Sequence, residues 1–230
     1  METGAEFHIH ITVYTDPLCC WSWAFDPELK KLKQTLAWHS SWKTCMGGLI
    51  PSWNNYHDEV NAVTRPVQMG PVWVHAAQIA RRPINHLVWM KDPPSSSYPA
   101  CVAVKSAQLQ SEHAGDQMLQ LLRNAVMTDG KNISRPEVIM QAAKELAEAD
   151  NSFDIHKFTE DYNGEPGRNA FKEDLQKVKL QAISRFPALI IKLNENKTIM
   201  LSGYRSYDDV MGELVEVYPA LENIISGKSE

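Results

Sequence analysis

The sequence predicts an α/β fold in which a large all-helical insertion separates a βαβ half from a ββα half. Three observations predict it: an alternating strand pattern near the start, a long middle stretch with helical patterns, and two closely spaced strand patterns before a final helix. The chain has 230 residues, of which 43% are hydrophobic and 22% charged, so it can bury a core. That length accommodates one domain that carries a large insertion.

The first half of the fold reads as strand, helix, strand. Residues 7–14 alternate and are rich in β-branched and aromatic side chains, which is typical of a strand. Residues 23–36 carry apolar side chains on one face at helical spacing, and residues 42–46 form a plausible second strand. This order is a βαβ unit.

The middle of the chain is different in kind. Helical patterns occur over 70–80, 99–113, 116–127 and 135–149, separated by prolines and short polar turns. We find no strand pattern between 50 and 166, so a mostly helical insertion is the simplest interpretation.

Strand patterns return at the end of the chain. Residues 186–193 have the length and composition of a buried strand, Asn194-Glu195-Asn196 supplies a turn, and residues 198–201 form the partner strand. An amphipathic helix over 206–218 follows.

Together these pieces predict a thioredoxin-like fold split by an insertion. We expect residues 1–55 and 167–230 to form the thioredoxin-like domain and residues 56–166 to form the helical insertion domain. No internal repeat is visible.

Charge and hydropathy exclude several classes of function. The net charge is −5 and no dense run of Lys and Arg occurs, so binding to nucleic acid or to an anionic membrane has no electrostatic basis. No stretch is apolar enough to span a bilayer. The first residues are acidic and do not resemble a secretory signal, so we expect a cytoplasmic protein.

The cysteines point to reactivity and not to a structural framework. Cys19, Cys20, Cys45 and Cys101 are too few for a disulfide scaffold, and a reducing compartment disfavours one. No spacing of His and Cys resembles a metal site, so we expect no metal. Cys45 falls in a presumed core strand, where we expect it to be inert.

Cys19 stands where the first strand ends and the first helix begins. Unpaired backbone N–H groups and the positive end of the helix dipole stabilise an anion at such a position. We therefore expect the Cys19 thiolate to be favoured and to act as a nucleophile. One helical turn would bring the Ser22 hydroxyl close to the Cys19 sulfur.

A second candidate segment is Arg185-Phe186-Pro187. An X-Pro bond that opens a buried strand is a candidate for the cis form. In a thioredoxin-like fold, such a proline packs beside the reactive sulfur and leaves the preceding backbone free to pair with an incoming peptide. We therefore expect Pro187 in the catalytic site, with Arg185 and Phe186 contacting substrate.

The chain resembles the DsbA-like branch of the thioredoxin superfamily, in particular its group of FrnE-type proteins and Spx-binding adaptors. Four segments carry the resemblance from the first strand to the last helix: Asp16-Pro17-Leu18-Cys19-Cys20-Trp21-Ser22-Trp23, Asp92-Pro93-Pro94-Ser95-Ser96-Ser97-Tyr98-Pro99-Ala100-Cys101, Arg185-Phe186-Pro187 and Gly203-Tyr204-Arg205-Ser206. The resemblance implies a nucleophile at Cys19 and a cis proline at Pro187.

The sequence departs from this family at one important position. Family oxidoreductases carry a second cysteine where this chain has Ser22, and a Cys-x-x-Ser site can form a mixed disulfide but not the usual internal one. Monothiol exchange at Cys19 is therefore the leading hypothesis, with protein or small-molecule thiols and disulfides as substrates and glutathione as a candidate co-substrate. Trp21 is a candidate for the rim that contacts substrate.

Another cysteine could replace the missing thiol. A disulfide between Cys19 and its neighbour Cys20 would strain the peptide between them. Cys101 is a candidate to face the cleft and contact substrate, although it also reads as a small buried side chain at the start of an insertion helix.

Two other functions stay open. Kappa-class glutathione transferases and 2-hydroxychromene-2-carboxylate isomerases are similar in fold, and their motif places a serine on the glutathione sulfur, as Ser22 could do. The resemblance to the Spx-binding adaptor also implies a module that binds a protein partner without catalysis.

Overall fold

A computed structural model describes residues 8–37, 39–194 and 197–226 of the chain. Within them, one sheet has the strand order β2-β1-β3-β4, with β1 (Ile9–Thr15), β2 (Ser40–Met46), β3 (Ala188–Asn194) and β4 (Lys197–Ser202). β1 pairs with β2 in parallel and with β3 antiparallel, and β3 and β4 form an antiparallel hairpin. This mixed sheet confirms the predicted thioredoxin-like fold.

The helices connect and cover this sheet. Most of them lie between β2 and β3, as predicted for the insertion. In chain order they are α1 (Cys20–Thr35), α2 (Met69–Ala80), α3 (Val88–Lys91), α4 (Tyr98–Gln108), α5 (Glu112–Arg123), α6 (Pro136–Ala149), α7 (Ile155–Asn163), α8 (Glu165–Leu180), α9 (Tyr207–Val217) and α10 (Ala220–Ser226).

One face of the sheet packs against α1 and α9. Ile9, Ile11 and Val13 alternate along β1 and are at most 3% exposed, because every second side chain of a strand points to the same face. They share a core with apolar side chains of α1 and of α9, including Phe25, Leu32, Val210 and Leu214. This packing fixes the position of α1 against β1.

A second core fills the helical insertion. Trp73 and Trp89 meet edge to face with ring centroids 5.1 Å apart, an arrangement that aromatic quadrupoles favour. Leu18 and Trp23, on either side of the first turn of α1, belong to this same core. The turn that carries Cys19 therefore lies between the sheet core and the insertion core.

The helix boundaries in the insertion differ from the predicted ones. The pattern over 99–113 is divided, since α4 ends at Gln108 and Ser111 caps a new helix by accepting a hydrogen bond from the Ala114 N–H at 3.0 Å. The new helix α5 then continues into a single π-helical turn, Asn124–Thr128.

The structure also contains helices that the sequence patterns do not indicate. α7 begins after Asp154, whose carboxylate accepts hydrogen bonds from the N–H groups of His156 and Lys157. α8 begins at Glu165 and has Pro166 in its first turn, so the expected domain boundary at 166 falls inside this helix. The division into two domains stays a prediction.

Some expectations fall outside the described residues. These are Phe7 at the start of the first predicted strand and Glu195 and Asn196 in the predicted hairpin turn.

Candidate active site

The backbone places Cys19 at the N-terminus of α1. After β1 ends at Thr15, the Cys19 N–H donates to the Asp16 carbonyl oxygen at 3.1 Å and closes a turn. Cys19 then caps α1 with an extended backbone, and its Sγ accepts a hydrogen bond from the Ser22 N–H at 3.4 Å. The sulfur thus occupies the place of an N-cap oxygen.

The segment before β3 meets this sulfur from the other side. The Phe186–Pro187 peptide bond is cis, and the Cys19 thiol donates to the Phe186 carbonyl oxygen at 3.4 Å. The Phe186 ring lies against Gly47, where a Cβ would overlap it. The structure therefore brings Cys19, Ser22, Phe186 and Pro187 together.

Burial opposes the expected preference of Cys19 for the thiolate. Burial raises the pKa of the Cys19 thiol above its ordinary value of 9.0, because the residue is only 5% exposed. The Ser22 side chain and N–H lower the pKa, and the charge of Asp16 raises it. Desolvation outweighs the hydrogen bonds at the helix N-terminus, so the balance of these effects favours the thiol.

The Ser22 side chain is 2% exposed and lies close enough to the Cys19 sulfur to lower the pKa of that thiol, as its position one turn along α1 predicts. The backbone N–H of Ser22 is the group that holds the Cys19 sulfur.

A buried carboxyl group lies behind the cysteine turn. Asp16 is 0% exposed and accepts hydrogen bonds from the N–H groups of Leu18 at 2.8 Å and Leu49 at 2.7 Å. Burial raises the pKa of Asp16, whereas these hydrogen bonds lower it. The carboxyl group holds the loop before α1 against the loop after β2.

The remaining cysteines are buried free thiols. Cys101 is 0% exposed and donates to Asp16 Oδ2 at 3.3 Å, a neighbour that the sequence did not indicate. Burial raises the pKa values of Cys101 and Cys20 well above the ordinary one. Cys45 is 2% exposed within β2. A substrate contact by Cys101 stays a prediction.

Trp21 lies at the rim of the site. Its ring packs edge to face on His75 of α2, with centroids 5.5 Å apart, and is 6.2 Å from the ring of Tyr204. Arg185 is exposed and makes no hydrogen bond or ion pair with the described part of the chain. Tyr204 falls in a segment that the sequence singled out, whereas no sequence signal indicated His75.

The sequence patterns also did not indicate a buried ion pair beside α1. Arg123 of α5 is 2% exposed, pairs with Asp26 of α1 at 2.6 Å and donates to Thr15 Oγ1. Arg82 stacks on the Trp23 ring, with its guanidinium carbon 3.2 Å from the centroid. Nothing in a single helical arginine marks it as buried, so the sequence could not show this pairing.

Within residues 8–37, 39–194 and 197–226, no group of three or more His, Cys, Asp or Glu side chains could hold a metal ion. None of the helices in these ranges has the length and hydropathy of a membrane span.

A family model described as "Thioredoxin" matches residues 12–211 of the chain. This range runs from β1 into α9 and includes Cys19, Ser22 and the Phe186–Pro187 bond.

Curated relatives of similar sequence are named as adaptor proteins. "ClpXP adapter protein SpxH" of Halalkalibacterium halodurans is 25% identical over 223 residues, which are 93% of this chain and 71% of that protein. The protein of the same name from Shouchella clausii is 26% identical over 192 residues, 84% of this chain and 60% of its own length. About a third of the length of each of these relatives therefore has no counterpart in this chain.

One solved structure with a similar fold is named as a disulfide reductase. The cytosolic disulfide reductase DsbM of Pseudomonas aeruginosa superposes with a TM-score of 0.65 at 17% identity, over 95% of this chain and 98% of that one. The same protein has also been solved with GSH, at a TM-score of 0.63. This similarity establishes the shared fold.

Proposed function

The chain belongs to the DsbA-like branch of the thioredoxin family, and we propose that it catalyses monothiol thiol–disulfide exchange through Cys19. One observation carries the proposal: the Cys19 sulfur lies between the Ser22 N–H and the Phe186 carbonyl oxygen, 3.4 Å from each. The sulfur stands at a helix N-terminus next to a backbone segment available to a substrate.

The first step is attack on a disulfide. Cys19 loses its proton to solvent, its thiolate bonds to one sulfur of the substrate disulfide, and the other sulfur leaves with the electron pair of the broken S–S bond. Once Cys19 has lost its proton, it no longer donates a hydrogen bond to the Phe186 carbonyl oxygen. The Ser22 N–H still donates to the sulfur and stabilises the thiolate. The product is a mixed disulfide on Cys19.

A thiol from outside the chain completes the cycle. Ser22 stands where a second cysteine would attack, so a small thiol of the glutathione class attacks the mixed disulfide and releases Cys19. The small thiol bonds to the substrate sulfur as Cys19 leaves, and a second small thiol then attacks this new disulfide and releases the substrate sulfur as a thiol. One substrate disulfide and two small thiols thus become two substrate thiols and one small-molecule disulfide. The structure of DsbM with GSH supports glutathione as this thiol, and the requirement for it fits a reducing, cytoplasmic compartment.

The segment before β3 provides the docking site for a substrate backbone. β3 begins at Ala188, and the Phe186 N–H makes no hydrogen bond with the described residues, so it is available to a peptide. Trp21 contributes an aromatic side chain at the rim of this docking site, and the exposed Arg185 contributes a positive charge.

Turnover of bis(2-hydroxyethyl) disulfide by glutathione tests the proposal. We expect Cys19→Ser to abolish turnover, whereas Cys20→Ser, one residue away and equally buried, should retain it. Equal rates for Cys19→Ser and the unaltered protein would refute exchange at Cys19.

A protein-binding adaptor is the second candidate, favoured by the names of the curated relatives. Exposed apolar side chains on three packed elements, the 3-10 turn Pro66–Gln68, α2 and α3, offer a surface for it: Val67, Ile79 and Met90. ClpXP is the partner that the relatives' name indicates.

Binding to purified ClpXP distinguishes the two candidates. The adaptor function predicts that a Cys19, Cys20 and Cys101 triple alanine variant binds as the unaltered chain does, while Ile79→Glu weakens binding. Absence of binding by the unaltered chain would exclude this partner. Glutathione-dependent transfer at Ser22 stays a prediction.

A further inference from the structure

Positive charge and exposed apolar side chains coincide on one stretch of the insertion. Residues 65–91 contain four Arg or Lys and no Asp or Glu, although the whole chain has a net charge of −5. Of the nine large apolar side chains that are exposed in residues 8–37, 39–194 and 197–226, four lie on this stretch: Val67, Ile79, Leu87 and Met90. The 3-10 turn Pro66–Gln68, α2 and α3 form the stretch and pack against one another.

Three exposed cations lie within two residues of one of these apolar side chains: Arg65, Arg81 and Lys91. None of the three forms an ion pair within the described part of the chain, whereas the fourth cation, Arg82, pairs with Asp26. The carboxylate that follows the stretch, Asp92, is paired with Arg135 at 2.7 Å. We give the name α2–α3 surface to the three unpaired cations together with three apolar side chains: Val67, Ile79 and Met90. Its cations have no carboxylate partner of their own, so they are available to an acidic ligand.

The α2–α3 surface extends to the rim of the candidate active site. Four exposed residues share one face of α2, at helical spacing: Pro71, His75, Gln78 and Ile79. The ring of His75 on this face packs on Trp21, with centroids 5.5 Å apart. The exposed face follows a helix of 12 residues, about 18 Å long, so it has the dimensions of a contact with a segment of a protein and not with a small molecule.

Exposed apolar side chains beside unpaired cations are typical of surfaces that bind an acidic protein segment or an anionic membrane. The charge of the chain favours the protein segment. A membrane presents negative charge to a whole side of the molecule, and a net charge of −5 opposes that approach. A protein segment contacts only the α2–α3 surface, where carboxylates meet cations.

We propose that the α2–α3 surface binds a helical segment of a partner protein that has one apolar face flanked by carboxylates. The apolar face of this segment lies on Val67, Ile79 and Met90, and its carboxylates face the three cations. The inference rests on the protein-binding function proposed above and adds the chemistry of the partner. Because His75 contacts Trp21, the bound partner lies beside Cys19.

Fluorescence anisotropy with three labelled synthetic peptides tests the proposal. The Leu–Glu peptide has Leu on one helical face and Glu on the other, the Leu–Lys peptide replaces each Glu by Lys, and the Ser–Glu peptide replaces each Leu by Ser. We expect the unaltered chain to bind the Leu–Glu peptide about tenfold or more tightly than either of the others, since it alone matches both the charge and the apolar area. Equal binding of the Leu–Glu and Leu–Lys peptides, or no binding of the Leu–Glu peptide, would overturn the proposal.

Matched variants locate the bound peptide. Lys91→Glu reverses a charge next to the exposed Met90, and Lys179→Glu makes the same change next to the exposed Leu180 of α8, which packs on α4, α7 and β2. We expect Lys91→Glu to weaken binding of the Leu–Glu peptide about tenfold, because it removes one attraction and adds one repulsion. Met90→Ser should weaken binding about fivefold through lost apolar contact. Lys179→Glu and Leu180→Ser should bind as the unaltered chain does, and equal affinities of the two Lys variants would overturn the proposal.

Two further measurements separate this proposal from its alternatives. Binding of the Leu–Glu peptide requires neither Cys19 nor ClpXP, so absence of ClpXP binding would exclude that partner, while peptide binding that Lys91→Glu weakens would still support the α2–α3 surface. Sedimentation with phosphatidylserine vesicles tests the membrane. Binding of the chain to these vesicles without binding of the Leu–Glu peptide would overturn the proposal in favour of a membrane.

Discussion

The Cys101 thiol donates a hydrogen bond to Asp16 Oδ2 at 3.3 Å in the protein interior. Asp16 lies three residues before Cys19 along the chain. Both residues are 0% exposed. The pair links α4 of the insertion to the loop that presents the reactive cysteine, so the electrostatics of Cys19 depend on a contact across the fold.

Replacing Asp16 by Asn should lower the pKa of Cys19. The charge of Asp16 raises that pKa, so a neutral amide of the same shape favours the thiolate. The pH dependence of Cys19 alkylation, read by mass mapping, measures the effect. Asp116→Asn, a partly exposed carboxylate on α5, is the control, and an unchanged profile for Asp16→Asn would contradict this electrostatic role.

The same substitution should change how stability depends on pH. Burial raises the pKa of folded Asp16 above its ordinary value of 3.8, so the folded state favours the protonated carboxyl group. The Asp16 contribution to stability is therefore present below 3.8 and is lost as pH rises through the folded pKa. Urea unfolding should show Asp16→Asn gaining stability relative to the unaltered chain as pH rises, and a constant difference would refute the shift.

Alkylation of unaltered Cys19 should still accelerate above pH 9.0. Burial raises the pKa of this thiol above that ordinary value, and the thiolate is the species that reacts. Iodoacetamide labelling of the folded chain, with glutathione as the reference thiol, measures the profile. A plateau below pH 9.0 would show that the helix terminus outweighs burial.

Gly47→Ala should impair exchange without touching Cys19 directly. A Cβ at Gly47 would overlap the Phe186 ring, so the ring and the carbonyl group beside the sulfur must shift. We expect exchange with a peptide disulfide to slow about tenfold, because displacements of the reacting geometry by an ångström have large kinetic effects. Gly212→Ala, where a Cβ meets nothing within 4 Å, is the control. Equal rates for the two variants would show that the Phe186 position is unimportant.

Arg123→Gln should destabilise the fold by about 3–5 kcal/mol, because it leaves the Asp26 carboxylate without its buried partner. Arg135→Gln breaks an exposed pair with Asp92 and should change stability little. Urea unfolding compares the two variants, and similar midpoints would contradict the importance of the buried pair.

Local patterns predicted the architecture but not the cross-fold contacts. The strands alternate or form short apolar runs, and the Cys19 turn and the proline before β3 have recognisable chemistry, so the sequence could place them. The Asp16–Cys101 bond and the Arg123–Asp26 pair join residues 85 and 97 positions apart, and no local pattern encodes them.

The effect of burial on Cys19, which opposes the expected preference for the thiolate, was not predicted for a related reason. A helix N-terminus is visible in the sequence, whereas the burial of the sulfur depends on elements distant along the chain. The helices α7 and α8 were missed because their charged residues obscure the short apolar stripe, which includes Phe158 and Phe171.

Mass spectrometry of the chain after brief exposure to oxidised glutathione tests the central claim most directly. Exchange at Cys19 predicts one glutathione adduct, mapped to Cys19, absent from Cys19→Ser and removed by excess reduced glutathione. An adduct on Cys20 or Cys101 that persists in Cys19→Ser, or no adduct on the unaltered chain, would contradict it.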